Sequence, residues 1–430
     1  MNIPPMQNPR RPPKLDLRGF QAPPSAPTRR THPSTVIDSH IHLWTQHQLE
    51  QRNITWPKQG AHQQLSGPHE MEGFATVVAE GMRGLGGGKS KWEGVVYVQA
   101  EAVHDDADED GSKGGWDAAL DEVECVCAAA LRNPNVKLLA LVPWAPVHHG
   151  SSALSAYFTR LFALPSLIQL TSTLGYPPVT SVRYLLQSSP RGFFLQPPFI
   201  DGLKHLGERG IAFDLTLDVR SENTGGVGVL EDAQEMITRV REGQGPGKET
   251  VFIFDHFAKP SLADDAFSTS STRPSPPFRT SYISSLQPLS LLPKTYLKLS
   301  AFLDFAPPQL VADAFDDYKK TDKGRESRYG QLRERILGYL EPALEAWGWE
   351  RILVGSDWPM FRPLLLPSSQ TSPSLSSHSD TVEEGLAWAF GLELYLDCFR
   401  QLGLEGEELD GVFARNSRGL YGIGTGTGEV

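Results

Sequence analysis

Cysteine and long hydrophobic runs are both scarce in this chain. Three cysteines among 430 residues are too few for a disulfide framework, and a helix over Cys125 and Cys127 would point their side chains apart. We therefore expect a protein of a reducing compartment, the cytoplasm. No stretch approaches the roughly 20 apolar residues of a membrane-spanning helix, so we expect no membrane partner.

Positive charge is also in short supply. The chain has 40 Lys and Arg residues against 51 Asp and Glu residues, a formal net charge of −11 at pH 7. This acidic balance argues against nucleic acid and anionic membrane surfaces as binding partners. A small molecule is the expected partner. Hydrophobic residues make up 39% of the chain, enough for the large core of a globular protein. The sequence does not indicate an oligomeric state.

The first 35 residues have a composition of their own. Residues 1–35 are rich in proline and arginine and contain one acidic residue, Asp16. The prolines would interrupt the amphipathic helix of a mitochondrial transit peptide, so we predict a disordered tail, with a transit peptide as the alternative. Residues 36–423 are predicted to form one domain with low-complexity insertions near 104–115, 221–228, 242–248, 262–286 and 364–380.

Eight short apolar runs recur along the chain. Near-continuous apolar runs are typical of parallel strands that are covered on both faces. We predict helices over 116–132 and 332–347, where apolar residues repeat with helical spacing, and over 383–402. Eight strands that alternate with helices favour a (β/α)8 barrel, the α/β fold also called the TIM barrel, over a doubly wound sheet. The runs are 35–40, 94–101, 136–144, 179–186, 210–218, 250–257, 295–302 and 351–358.

Histidines end two of these runs, at the edge where barrel enzymes carry their chemistry. His40 and His42 close the first run and share one face, because side chains alternate along a strand. Such a pair can give a divalent metal two nitrogen ligands, although the spacing alone more often belongs to ordinary polar residues at a strand end. His256 closes the sixth run and Lys259 follows it. The alternative for this segment is the start of a helix without chemistry, with Pro260 ending the strand.

Asp357 closes the eighth run, within the segment "GSDWP". In a closed barrel the eighth strand pairs with the first, which places Asp357 beside His40 and His42. A carboxylate at this position can bind a metal, activate water or do both. We therefore predict one catalytic site of His40, His42, His256 and Asp357. Among these, His40, His42 and Asp357 are the candidate metal ligands.

Supporting residues come from other runs. Gln99 and Glu101 share a face at the end of the second run, and Arg183 precedes a loop after the fourth. Each could contact the hydroxyl or carbonyl oxygens of a substrate. Trp44 and Trp358 flank the histidines and the aspartate, and their aromatic faces suit stacking on a sugar ring. Packing at the rim or in the core is the alternative for both tryptophans.

Several segments resemble the amidohydrolase-2 family of the amidohydrolase superfamily. Within it they are most similar to the sugar-lactonase branch, typified by L-rhamnono-γ-lactonase and L-fuconolactonase. The matching segments occur in the family's order and span residues 36–423. They are "IDSHIHLW", "VYVQAE", "VRYLLQ", "FDL", "DHFAKP", "KLSAF", "GSDWP" and "NSRGLYGI".

The resemblance implies an amidohydrolase-type barrel that hydrolyses a sugar-acid lactone to the free aldonic acid in sugar catabolism. L-rhamnono-1,4-lactone is the first candidate substrate. By position, His40 and His42 match the family's histidine pair on strand one. His256 matches the histidine of strand six, and Asp357 the aspartate of strand eight.

The chain departs from the family pattern at several positions. Phe257 and Ala258 replace the Leu-Gly or Met-Gly of other members, and Tyr184 replaces the histidine that follows the matching Arg183. The fifth run has no histidine and the fourth no lysine that could bridge two metals. The resemblance therefore implies at most one divalent ion, zinc, and leaves open whether turnover needs it.

The mechanism that follows uses Asp357 as the base. It takes a proton from the attacking water and returns it to the ring oxygen that leaves, while the histidines stabilise the oxyanion with or without a metal. Arg183, Lys259 and Glu101, with the tryptophans, would contact the sugar. Two alternatives stay open: a metal-dependent decarboxylase of a small aromatic acid on the same barrel, and a non-catalytic barrel that binds a ligand.

Overall fold

Eight parallel strands form the centre of the molecule. The computed structural model describes residues 30–58, 65–263, 277–366 and 378–424. The strands fall into a three-stranded sheet, β1-β2-β3, and a five-stranded sheet, β4-β5-β6-β7-β8. They are β1 Thr35–Ile41, β2 Lys91–Val98, β3 Leu138–Val142, β4 Ser181–Leu185, β5 Ala212–Thr216, β6 Phe252–Phe254, β7 Thr295–Leu299 and β8 Ile352–Val354.

The two sheets meet at two seams. At one seam Ile41 pairs in parallel with Trp358, just beyond the end of β8. At the other, Trp144 pairs in parallel with Arg183, and the amide of Arg183 donates to the carbonyl of Pro143 at 2.8 Å. The strands therefore follow one another around a ring in chain order, as in a barrel.

Helices separate the strands along the chain. A typical one is α3, whose buried residues Leu120, Val123 and Cys127 lie along one stripe with helical spacing. Helices such as this cover the outer face of the strands. In the described residues the helices are α1 Gln46–Glu50, α2 Met71–Gly81, α3 Asp117–Arg132, α4 Gly150–Leu161, α5 Pro165–Leu174, α6 Pro197–Glu208, α7 Val229–Arg241, α8 Pro277–Ser290, α9 Pro308–Lys319, α10 Arg328–Trp347, α11 Arg362–Leu365, α12 His378–Gln401, α13 Glu407–Asp410 and α14 Asn416–Leu420.

The predicted barrel is confirmed strand by strand. Each of the eight apolar runs overlaps one strand, and the predicted helices correspond to α3, α10 and α12. The strands are buried almost throughout, as in β3 and β5, because helices cover one face and the barrel interior fills the other. None of the described helices is long and apolar enough to cross a lipid bilayer.

The structure differs from the sequence prediction in two insertions. In the insertion predicted at 364–380, residues 364–365 and 378–380 belong to α11 and α12, and residues 367–377 lie outside the described residues. Residues 277–286 belong to the predicted low-complexity loop, yet they form most of α8. Tyr282, Leu286 and Leu289 are buried at intervals of four and three residues, and this apolar stripe holds the helix against the core. Residues 264–276 of that insertion lie outside the described residues. The division into one domain with insertions stays a prediction.

The tail also ends earlier than predicted. Residues 1–29 lie outside the described residues, whereas 30–34 contact the C-terminal part of the chain. The amide of Ser34 donates to Oδ1 of Asp410 at 2.6 Å, and the hydroxyl of Ser34 donates to the same oxygen at 2.7 Å. The last residues of the predicted tail thus anchor the start of β1.

Candidate active site

The two histidines of β1 point into the barrel together. Nε2 of His40 lies 3.3 Å from Nε2 of His42, and both side chains are buried. Nδ1 of His42 lies 2.9 Å from the carbonyl of Val98, which can only accept, so Nδ1 carries the hydrogen. Nε2 of a neutral His42 therefore presents a lone pair to the site.

Asp357 reaches the histidines because β8 passes very close to β1. A Cβ added to Gly355 would lie 2.8 Å from both Cβ and the amide nitrogen of His40, so only glycine allows this approach. The amide of Asp357 then donates to the carbonyl of His40 at 2.9 Å. Oδ1 of Asp357 lies 3.4 Å from Nε2 of His40 and 3.2 Å from Nε2 of His42.

His256 completes the group from the end of β6. Its ring centroid lies 4.7 Å from that of His40, and its Nδ1 lies 2.8 Å from the hydroxyl of Ser300. Burial lowers the pKa of His256 to about 4, against the opposing charges of Asp357 and Asp255. The ring is therefore neutral at neutral pH.

Left-handed backbone conformations cluster at this end of the barrel. Non-glycine residues with positive φ include Glu101 (59°), His256 (54°), Lys259 (61°), Ala301 (59°) and Asp357 (61°). Such residues are strained and persist where the surrounding structure holds them, which is common at functional sites. Here the strained residues directly follow β2, β6, β7 and β8, and so they turn the chain at the mouth of the barrel.

A buried charge network lies under His40, and the sequence analysis missed it. Nζ of Lys298 on β7 donates to Oδ2 of Asp214 at 2.5 Å and lies 3.0 Å from Oδ1 of Asp255. The same Nζ lies 3.3 Å from Nδ1 of His40, and Oδ1 of Asp255 lies 3.5 Å from that nitrogen. Lys298 was detectable as the charged residue within the apolar run 295–302, and Asp255 as the neighbour of His256.

These contacts set the charge of the site. Burial lowers the pKa of His40 well below its ordinary value, and the charge of Lys298 lowers it further. Burial raises the pKa of Asp357, but its interactions with His256, His42 and His40 outweigh burial and hold that pKa well below its usual range. The carboxylate of Asp357 is thus ionised, and its negative charge favours a positive charge beside it.

The cluster fits one divalent metal ion. The facing atoms of His40, His42 and Asp357 form a triangle with sides of 3.2–3.4 Å, and Oδ1 of Asp357 has no hydrogen-bond partner in the described residues. A tetrahedral ion with bonds of about 2.0–2.1 Å places its ligands about 3.3–3.4 Å apart. These atoms lie close enough together to ligate one ion. His40, Asp255 and His256 form a second group that could hold an ion, and it shares His40 with the first.

A cavity of about 670 Å³ opens above this cluster. Its volume lies within the range of small-molecule sites. The floor includes His42, His256 and Asp357, and the walls come from the loops after the strands. Arg183 of β4 also lines the cavity. The charged and amide side chains that the loops contribute to the walls are Gln99, Glu101, Gln187, Asp218, Arg220, Lys259 and Asp304.

Four of the predicted substrate-binding residues line this cavity. Gln99 donates to Oε2 of Glu101 at 2.7 Å. Arg183 donates to the carbonyl of Gln99 at 2.6 Å and lies 3.7 Å from Oδ2 of Asp255. Lys259 donates to the side-chain oxygen of Gln187. The four side chains therefore form a polar wall from β2 to β6.

The two predicted tryptophans are placed elsewhere. Trp44 is fully buried, donates to the carbonyl of Gly67 at 2.8 Å and packs edge-on against His69. Trp358 is also buried and donates to Oε1 of Glu384 at 2.8 Å. Neither is among the cavity-lining residues of the described chain, so the packing alternative applies to both. Trp56, not singled out in the sequence, lines the cavity instead.

Comparisons with known proteins agree with this architecture. No protein-family model matches the chain. It is 25% identical over 283 residues to the L-rhamnono-gamma-lactonase of Scheffersomyces stipitis, a match that covers 62% of this chain and 72% of the relative. In structure it is similar to an amidohydrolase from Burkholderia multivorans, with a TM-score of 0.54 and 18% identity over 90% of this chain and 99% of that chain. A second crystal form of that amidohydrolase, with bound zinc, gives the same values.

These relatives confirm two expectations from the sequence. The fold is the amidohydrolase-type barrel. The resemblance to the amidohydrolase superfamily and its lactonase branch is confirmed as well. The comparisons thereby support the prediction of an enzyme.

Proposed function

We propose that this amidohydrolase-type barrel hydrolyses the lactone of a sugar acid to the free aldonic acid. L-rhamnono-1,4-lactone is the leading candidate substrate, because the curated relative carries that activity in its name. The observation that carries the proposal is the position of Asp357. Its carboxylate lies within 3.4 Å of two imidazoles at the floor of a cavity of small-molecule size.

The charges of the cavity wall favour an uncharged, hydroxyl-rich ligand. Four carboxyl groups line the cavity against three Lys and Arg side chains. Arg220 is already paired with Asp218, to which it donates twice, at 3.0 and 2.8 Å. Arg183 is held near Asp255. A substrate with two carboxylates would meet no surplus of positive charge, whereas sugar hydroxyls can both donate to these acids and accept from these bases.

Asp357 is suited to accept a proton from the attacking water. It is ionised and buried beside two imidazoles, so its oxygens can accept a proton from a water molecule at the floor of the cavity. As the carbonyl oxygen becomes an oxyanion, Arg183 and the ring of His256 lie on the cavity wall and floor to stabilise it. Positioned proton transfer of this kind contributes on the order of 10²–10⁴-fold to the rate.

One divalent ion would be held by His40, His42 and Asp357. We propose zinc, because two imidazoles and one carboxylate form a donor set typical of a catalytic zinc site. When bound, the ion would polarise the lactone carbonyl and lower the pKa of a nearby water. His42 is prepared for this role, because the Val98 carbonyl fixes its hydrogen on Nδ1.

We also propose a cytoplasmic location. Cys125, Cys127 and Cys398 are all free thiols. Free, unpaired thiols are usual in a reducing compartment.

A substrate panel tests the proposed reaction. Purified protein would be incubated with γ- and δ-aldonolactones, L-rhamnono-1,4-lactone among them, and acid release followed with a pH indicator. Parallel reactions would contain a chelator, or chelator followed by zinc. We expect acid release above the spontaneous rate for at least one aldonolactone. No release from any of them, together with CO2 release from a hydroxybenzoate, would establish the decarboxylase alternative.

A further inference from the structure

One carboxyl group in the cavity has no place in the reaction described so far. Asp304 lies in a short turn, Phe302–Phe305, directly after β7. It lines the same cavity as Asp357, His256 and Lys259. Among the described residues its carboxyl makes no hydrogen bond or ion pair. A carboxyl group that faces a substrate cavity without a partner is a candidate for direct action on the substrate.

The turn that carries Asp304 is rigidly held. The amide of Asp304 donates to the carbonyl of Ala301 at 2.9 Å. The amide of Phe302 donates to the hydroxyl of Tyr395 at 3.2 Å, which ties the turn to α12. Ala301 adopts a positive φ of 59°, a strained conformation that the neighbouring structure must stabilise. The carboxyl is therefore presented to the cavity by fixed backbone.

The reaction also needs an acid. When the tetrahedral intermediate collapses, the bond between the acyl carbon and the ring oxygen breaks, and that oxygen leaves as an alkoxide unless it receives a proton. Asp357 begins the reaction without a proton, because the charge of the site keeps it ionised. Two carboxyl groups with different protonation states provide one base and one acid.

We propose that Asp304 is the general acid that protonates the ring oxygen as the lactone opens. This inference rests on the proposed lactonase function. Water gives one proton to the Asp357 carboxylate and its oxygen to the acyl carbon, and the ring oxygen takes the proton of Asp304. Asp357 then holds a proton and Asp304 is ionised. One proton passing between them through cavity water restores the starting state.

The surroundings of Asp304 keep a proton on it. Burial raises the pKa of Asp304 to about 7, and the charge of Asp357 raises it as well, while Lys259 and Arg220 lower it. On the side of α12, the ionisable hydroxyl of Tyr395 interacts electrostatically with the same group. A large share of Asp304 therefore carries a proton at neutral pH, whereas Asp357 does not.

The test compares two lactones that differ in their leaving oxygen. The ring oxygen of an aldonolactone leaves as an alkoxide, which needs an acid. That of an aryl lactone such as dihydrocoumarin leaves as a phenolate, whose conjugate acid has a pKa of about 10, and needs no acid. Asp304→Asn should lower kcat for the aldonolactone about 100-fold or more, but for the aryl lactone less than about fivefold. Asp304→Glu should retain a larger share, because it keeps the proton donor.

The pH profile provides a second, independent readout. Because the acid form of Asp304 is required, kcat of the wild type should fall as the pH rises above about 7, and Asp304→Asn should lack this limb. Asp316→Asn, a change of the same kind at an exposed residue of α9, is the control and should match the wild type. Thermal unfolding would verify that each variant is folded.

The outcomes separate this inference from the proposed function. If the wild type opens no aldonolactone, the proposed function fails. A second outcome is that the wild type opens the aldonolactone while Asp304→Asn lowers kcat by the same factor on both lactones, or still shows the fall of kcat above about pH 7. In either case the lactonase function is supported and Asp304 is not the acid. A rise in KM with kcat unchanged would assign Asp304 to substrate binding instead. Should the aryl lactone not react, the alkaline limb alone decides.

Discussion

The ammonium group of Lys298 lies 3.3 Å from Nδ1 of His40 beneath the candidate active site. An ammonium can only donate, so this contact places the hydrogen of a neutral His40 on Nε2, which faces Asp357. If the hydrogen instead stays on Nδ1 and points to Asp255, Nε2 offers a lone pair to a metal ion. The two arrangements differ by the position of one hydrogen. Lys298 favours the arrangement without metal.

Replacement of Lys298 should therefore strengthen metal binding. Lys298→Met removes a positive charge and the donor on Nδ1 of His40, and we expect the affinity for zinc to rise at least about tenfold. Competition with a chromophoric chelator measures the affinity. Lys319→Met, a change of the same kind at a partly exposed lysine, is the control. Equal zinc affinities for wild type and Lys298→Met would show that Lys298 does not influence His40 as a metal ligand.

The same substitution should cost stability, because it leaves Asp214 and Asp255 buried without their counterion. Removing one partner of a buried ion pair costs about 3–5 kcal/mol, so we expect a loss of this size in the free energy of unfolding. Adding Asp214→Asn to this variant removes one of the two carboxylates that have lost Lys298, and should restore part of the lost stability. Urea unfolding of the single and double variants measures both. A double variant less stable than Lys298→Met would contradict this electrostatic account.

Asp357→Asn should remove most turnover and leave the fold intact. The amide cannot take a proton from water, so kcat should fall by about 10²–10⁴-fold, with KM changed much less. Steady-state kinetics on the best aldonolactone of the panel would measure it, with circular dichroism to verify folding. Near-normal turnover in this variant would mean that another group is the base.

The neutral state of His256 predicts a pH dependence of stability. Its pKa is lowered to about 4 by burial, from the ordinary value of 6.5, so between these pH values the unfolded chain binds a proton that the native protein does not. Native stability is therefore lost as the pH falls from 6.5 to about 4. His256→Asn lacks this contribution, and the stability of the wild type relative to the variant should decrease by about 3 kcal/mol over that range. Urea unfolding of both proteins across this pH range, in the presence of a chelator, measures the difference in stability. A difference that does not change with pH would contradict the prediction.

Trp56 should contribute to substrate binding. It lines the cavity and is held by a hydrogen bond of 2.7 Å from Nε1 to the carbonyl of Ala100. Loss of its aromatic face in Trp56→Ala should raise KM about tenfold, which corresponds to about 1.4 kcal/mol, with a smaller change in kcat. Trp44→Phe should instead lower the melting temperature with KM unchanged, because Trp44 packs in the core. The reverse pattern would restore the role first predicted for Trp44.

Much of the site was predictable because it depends on local pattern and on one rule of topology. An apolar run that ends in a polar residue identifies the carboxyl end of a strand, and the closure of a barrel brings β8 beside β1. These two facts were enough to group His40 and His42 with Asp357. His256 followed from the same pattern on β6.

The tryptophans show where this reasoning stopped. Trp44 lies two residues after His42, and Trp358 directly follows Asp357. Because β1 ends at Ile41 and β8 at Val354, neither tryptophan lies in a strand, and strand alternation does not determine where its side chain points. Both are buried, and neither is among the described residues that line the cavity. Trp56 reaches the cavity from a loop, and no periodicity in the sequence indicates where a loop will fold.

The sequence by itself determined the barrel, the order of its strands and the residues at their carboxyl ends, because strand periodicity and apolar burial are properties of short segments. Only the tertiary structure decided that Lys298 lies against His40 and Asp255, and that Asp304 lines the cavity. Such contacts join residues far apart in the chain, and their electrostatic consequences depend on distances of a few ångströms and on burial. Both are fixed only when all eight strands close around the same interior.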